Sequence, residues 1–262
     1  MEIAFDAIGI EITNEAAFND LAEDARVRGE VSRLTRKSGV LHGRCLKFGE
    51  GLEVWTMLYE SGTGEVSYAD CRPAFRSRYA QKISPFIPTE FDEEGEVLIH
   101  GFIEDTDTEV LFELQNLTEV GAQIFEQTSL RVGLCGLAYK AQVSKKSEKI
   151  YWKSFDETPS NISASENAWS LCGKVISFHT LRNGFSGSDL YWMYLDVGEL
   201  KIEVLVNQRA MKGAKLQIGA FVKAEIWLQG HILQNNAFRP GYEGVDYSQR
   251  TVDFWKSFKR KN

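Results

Sequence analysis

Leu190-Tyr191-Trp192-Met193-Tyr194-Leu195-Asp196-Val197 leads through Gly198-Glu199 into Leu200-Lys201-Ile202-Glu203-Val204-Leu205-Val206. Successive side chains of a strand point to opposite faces, so this period of two around a glycine turn reads as a long β-hairpin. Tyr191, Met193, Leu195 and Val197 form the better core set on the first strand, and Leu200, Ile202, Val204 and Val206 on the second. Trp192, Tyr194 and Asp196 then share the opposite face, with Lys201 and Glu203 also pointing outward.

The surrounding sequence extends the pattern. A strand over Trp169–Leu181 precedes the hairpin, with Gly173 early in it, and the loop Arg182–Asp189 follows. The connector Asn207–Gly219 leads to a strand over Phe221–Leu228, whose even positions are core, and a last strand lies near His231. Phe221, Lys223, Glu225 and Trp227 fall outside. Upstream, Asn14 is positioned to cap a helix over Glu15–Arg28, which carries Phe18, Leu21 and Ala25 at helical spacing and stops at Gly29. Val40–Phe48, Leu52–Glu60 and Glu65–Cys71 read as an antiparallel meander, broken by Pro73, Pro85 and Pro88. Glu96–Glu104 with Glu109–Gln115, and Leu130–Val143 with Lys149–Phe155, read as two further hairpins. The polar stretch Asp156–Asn167 reads as a linker. The expectation is a mainly β chain: residues 1–160 as a meander domain with one helix, and 168–262 as a barrel with a helical tail.

Five strands, a long second-to-third hairpin and an early glycine make residues 168–233 resemble the OB-fold superfamily, a small five-stranded Greek-key barrel. Residues 95–155 read as a degenerate second copy, with Ile99-His100-Gly101-Phe102 paralleling Leu171-Cys172-Gly173-Lys174. Taken whole, the chain resembles bacterial proteins of unknown function, a resemblance that implies no activity. The OB-fold resemblance implies a ligand face on the outer side of the second and third strands. There aromatic rings stack on bases at about 1–3 kcal/mol each while basic groups track phosphates. The candidate ligand-binding residues are therefore Trp192, Tyr194, Lys201, Phe221, Lys223 and Trp227, and the candidate ligand is single-stranded DNA or RNA. The competing expectation is a protein-interaction or self-assembly role, with these aromatics covered by the N-terminal domain or by a partner. Glu203 and Glu225, on the same face, favour it.

Catalytic and metal motifs are missing from the sequence. His42, His100, His179 and His231 are isolated, and the odd separation of His42 and Cys45 sends them to opposite faces. Gly184-Phe185-Ser186-Gly187-Ser188 is not a nucleophile elbow. Neither a phosphate-binding P-loop nor a dinucleotide fingerprint occurs. The acidic groups Asp92-Glu93-Glu94 with Glu96, and Asp105 with Asp107, read as solvated loops rather than cation sites. Cys45, Cys71, Cys135 and Cys172 contain no C-x-x-C pair and are expected as reduced, packed thiols. No secretory signal or membrane span is legible, so the expected location is the cytoplasm, with neither enzyme activity nor a cofactor.

Charge refines this picture. The chain has 262 residues and a formal net charge of −7, which argues against coating nucleic acid through bulk charge. Residues 83–130 alone carry 12 acidic groups and no Lys or Arg, whereas residues 168–262 carry 13 basic groups against 8 acidic ones. The deficit belongs to one segment and the barrel-like part is basic. The tail Ser248–Asn262 reads as a docked helix through Val252, Trp255 and Phe258, ending in a basic arm. Such an asymmetry suits phosphate binding by the C-terminal part. It equally suits an acidic surface meeting a basic one, within the chain or between copies.

Overall fold

Local signals set the first elements. In the computed structural model, which describes residues 2–86, 95–121, 126–144, 146–154 and 167–233, a short helix α1 (Glu2–Ala7) precedes α2 (Glu15–Arg28). The Asn14 side chain accepts from the Ala17 amide at 2.9 Å, satisfying a donor that the first turn leaves unpaired. At the far end the Gly29 amide donates to the Ala25 carbonyl at 2.8 Å. The expected helix therefore forms with its expected bounds, and α1 is an addition to it. Asp92-Glu93-Glu94, the linker up to residue 166 and the tail Ser248–Asn262 lie outside the described residues.

The meander is also present, with one more strand than expected. β1 (Glu30–Thr35), β2 (Gly39–Gly49), β3 (Leu52–Ser61) and β4 (Val66–Phe75) form a four-stranded antiparallel sheet in sequence order. Gly49, Glu50 and Gly51 all adopt positive φ in the β2–β3 turn, a run that glycine at two of three places makes tolerable. Pro73 does not end β4. The strand lies at the sheet edge, where proline is tolerated.

The remaining strands are β5 (Ala80–Pro85), β6 (Leu98–Ile103), β7 (Glu109–Leu114), β8 (Leu130–Ser144), β9 (Tyr151–Ser154), β10 (Ala168–Arg182), β11 (Asp189–Asp196), β12 (Lys201–Asn207) and β13 (Phe221–Ile232). They form one nine-stranded sheet that closes on itself twice. β10, β11 and β12 pair antiparallel in order; β12 then pairs parallel with β8, β8 antiparallel with β13, and β13 with β10. β5, β6 and β7 repeat this arrangement: β7 pairs parallel with β13, and β5 antiparallel with β8. Each half thus sends its last strand to complete the other half's ring. The β8–β13 ladder, from Ser144↔Phe221 to Val132↔Ile232, is common to both rings.

This arrangement differs from two expectations. Residues 168–233 do not hold five strands, because β13 runs unbroken to Ile232 and includes His231; their ring takes its fifth strand from β8. β8 and β9 are not a hairpin. One edge of β8 is filled by β13 and the other by β5 and then β12, so β9 pairs with β10 instead. Ladders also join strands before residue 160 to strands after it.

Packing follows the strand alternation. One buried cluster includes Met193, Leu195, Ile202, Val204, Val206, Val222, Ala224, Ile226 and Leu228, the faces assigned to the core. A second sets Phe5 and Leu21 of the helices, Ile8 just after α1, and Leu52, Val54 and Phe75 of the meander against Leu137, Leu190, Trp192 and Leu205. The outer side of β8, β12 and β11 is therefore itself a core.

At Gly230 in the shared ladder, an added Cβ would meet Phe112 at 2.4 Å and Val132 at 2.8 Å. Overpacking of this kind costs about 1–3 kcal/mol. Gly230→Ala is expected to lower the unfolding free energy by that amount, read as a lower urea midpoint at unchanged m-value; an unchanged midpoint would show that this crossing is not tightly packed.

Candidate functional site

The expected β11–β12 face is occupied by the chain's own residues. Trp192 is fully buried. Its indole N–H donates to Glu203 Oε2 at 2.5 Å, and Arg78 lies 5.2 Å from its ring centroid. Tyr194 is half-buried and stacks on Tyr79 at 4.2 Å. Glu203, expected to face solvent, is completely buried. Its Oε1 accepts from the Arg78 and Tyr79 amides at 2.5 and 2.7 Å, and from the Ser77 hydroxyl. Burial raises its carboxyl pKa while Arg78 opposes the shift. The segment Ser77–Tyr79 thus lies over the ring surface where a ligand was expected. Of the candidate residues on this hairpin only Lys201 is exposed.

The same connection carries buried ion pairs. Arg72 meets Glu113, and Arg76 lies 2.9 Å from Glu53 and 3.1 Å from Glu119. Burial pushes the Glu113 carboxyl up to about 7, against the pull of Arg72. Two carboxylates of the acidic segment 83–130 therefore neutralise arginines inside the molecule. Beside them β7 and β13 turn Glu113, Gln115, Gln229 and His231 onto one buried face. Both ring nitrogens of His231 and the Gln115 amide lack a hydrogen-bond partner among the described residues. This cluster fixes the meander to the rings; its groups are buried too deeply to meet a macromolecular ligand.

The open face lies elsewhere on the same ring. Along β13, Phe221, Lys223, Glu225 and Trp227 alternate outward and each is half-buried. Ladder register sets Lys223 beside Gln142 of β8 and Cys172 of β10, and Cys172 beside Tyr151 of β9. The neighbouring rows hold Ser144, Phe221 and Lys174, and then Lys140, Glu225, Ser170 and Lys153. Same-face rows along a strand lie about 6.8 Å apart. Lys140, Lys153 and Lys174 are exposed. Lys140 pairs with Glu225 at 2.7 Å and Lys223 with Glu148 at 3.0 Å. A cleft of about 880 Å3 borders this surface; Lys140, Gln142, Tyr151, Ser170, Lys223 and Glu225 line it from the open face, and Ala141, Val143, Ala224 and the connector Ala210–Ala214 from the ring-facing side.

Phe221 and Lys223 thus stand on a shared open face, with Trp227 farther along the same strand and packed partly against the second cluster. Trp192, Tyr194 and Lys201 do not join them. Lys140, Lys153 and Lys174 escaped notice in the sequence because only the pairing of β8, β9 and β10 around β13 brings them together.

The other chemical candidates have local roles. His42 pairs with Glu60 at 2.7 Å, His100 with Glu109, and His179 stacks against Trp192 at 5.4 Å. The four cysteines are unbridged and buried. Among the described residues no cluster of His, Cys, Asp and Glu is placed to hold a metal ion, and no helix is long and apolar enough to cross a membrane.

One family model, described as a domain of unknown function, E. rectale Gene description (DUF3881), matches residues 155–230. The match takes in β10–β12 and most of β13 but excludes β8. No curated protein and no solved structure matches the chain.

Burial, and secondarily Arg76, hold the His231 pKa well below its usual 6.5. Below pH 6.5 the unfolded chain takes up a proton that the folded chain refuses, so folding stability falls as the pH drops. His231→Gln is expected to flatten the decline between pH 6.5 and about 5 in urea titrations. Parallel pH profiles for the two proteins would contradict this.

Proposed function

We propose that the chain is a non-enzymatic binding module that holds single-stranded nucleic acid on the outer face of β8, β13, β10 and β9. The observation that carries this reading is the placement of Lys140, Lys153, Lys174 and Lys223, with Phe221 and Tyr151 among them, on one open sheet face beside a cleft. Lysines in successive rows neutralise successive phosphates of an extended strand, and aromatic rings between them take bases without regard to sequence. The ring β10–β11–β12–β8–β13 is read as OB-like. In support, three sequential antiparallel strands are closed by a parallel pairing to the third, a Greek-key order. The ligand surface is displaced from the second and third strands, which are covered, to the first, fourth and fifth. Buried unbridged cysteines accord with a reducing compartment such as the cytoplasm.

Self-association is a second reading, favoured by the meander edges. Val31 on β1 and Val66 and Tyr68 on β4 are 62%, 57% and 50% exposed, and open edge strands invite pairing with another chain. Sedimentation of the wild type and a Val31→Lys/Val66→Lys variant tests it: a wild-type dimer dissociated by the substitutions favours assembly, and a monomer excludes it.

Binding of labelled DNA and RNA oligonucleotides, followed by anisotropy at about 50 and 200 mM salt, tests the main proposal. Lys140→Glu/Lys174→Glu is expected to weaken binding at least about tenfold and to flatten the salt dependence. Unchanged affinity in that variant, or no binding at the lower salt, would overturn it.

A further inference from the structure

Both oxygens of one carboxylate on the open face are occupied. Glu148 Oε2 lies 3.0 Å from Lys223 Nζ, and Glu148 Oε1 accepts from the Ser144 hydroxyl at 2.9 Å. These contacts, Lys223 first, hold the Glu148 carboxyl below its usual range. The donors and the acceptor differ in mounting. Lys223 is on β13 and Ser144 ends β8, two strands locked in the long antiparallel ladder. Glu148 belongs to the connection between β8 and β9, outside any strand. A cation and a hydroxyl on a rigid base thus grip two negatively charged oxygens delivered by a loop. The same donors suit two non-bridging oxygens of a phosphodiester.

We infer that Lys223 and Ser144 form a phosphate subsite and that Glu148 occupies it as a tethered substitute when no ligand is bound. The inference rests on the single-strand binding reading and sharpens it. Phe221, in register with Ser144 and Lys174, stands one row away and offers its ring to the adjoining base. The neighbouring pair, Lys140 with Glu225 at 2.7 Å, provides the contrast. Both of its members are on paired strands, so Glu225 cannot swing aside with a loop. Ligand binding therefore exchanges the Glu148 contacts for phosphate contacts at this subsite. The carboxylate opposes weak or uncharged ligands and yields to a polyanion.

The test uses the full chain and a labelled thymidine oligonucleotide of about 12 nucleotides, within the span of one OB-like surface. Glu148→Gln is expected to lower Kd about threefold to fivefold, the scale of one exposed ion pair. In a Lys223→Ala background the same substitution is expected to give no gain. Glu65→Gln, an exposed carboxylate in the β3–β4 turn of the other sheet, serves as the control for simple loss of negative charge and is expected to change Kd less than about twofold. Wild-type affinity in Glu148→Gln, or a full gain persisting without Lys223, overturns the subsite while leaving the broader function standing. Absence of binding by the wild type and every variant overturns both.

Discussion

The β8–β13 ladder is the constraint on which the rest of the structure depends. Each strand offers one edge to the other along its length. The remaining edge of β8 carries β5 near Leu130–Gly133 and β12 at Cys135–Ala138. The remaining edge of β13 carries β10 and then β7. Two closed rings therefore diverge from a single seam, and neither has five strands without the other half of the chain. Closure removes the open edges that a free sheet would present. Its cost lies in long-range pairing, since β8 and β13 are separated by the whole β9–β12 region.

Placing two rings back to back leaves one outer flank to be covered and one to be left open. The covered flank is filled by the helices, the meander and the Arg72–Tyr79 connection. Buried arginines there are neutralised by Glu113, Glu53 and Glu119, and the buried Glu203 accepts backbone amides from the connection itself. Losing one partner of such a set would leave an uncompensated charge in the interior, which makes the attachment unforgiving. The open flank keeps its lysines in solvent along rigid strands. The proposed ligand face thus follows from what the seam leaves uncovered.

Much of the local structure is legible in the sequence. Asn14 and Gly29 mark the α2 ends, glycine turns mark the meander, and the period of two in β11, β12 and β13 identifies the ring-facing residues. What alternation cannot give is the identity of the layer beyond the strand. Trp192 and Glu203 do point out of their ring, as their spacing implies, but outside the ring is still inside the molecule. A signal was present in Arg72-Pro73-Ala74-Phe75-Arg76-Ser77-Arg78-Tyr79, where three arginines alternate with apolar groups just before a strand. Such a segment needs buried carboxylates, and Glu203 between Ile202 and Val204 was one. The pairing of β8 with β12 was not legible because a continuous apolar strand accepts partners on either edge and names none of them. The family match carries the same blindness, since it covers β10–β12 and excludes the strand that closes their ring.

Native-state hydrogen exchange on the full chain tests the shared seam most directly. If one ladder closes both rings, the slowest amides of β5–β7 and of β10–β12 open together with those of β8 and β13, at one free energy and with one denaturant dependence. Opening of β5–β7 at a much lower free energy, with β8, β13 and β10–β12 still protected, would contradict it and make the rings independent units.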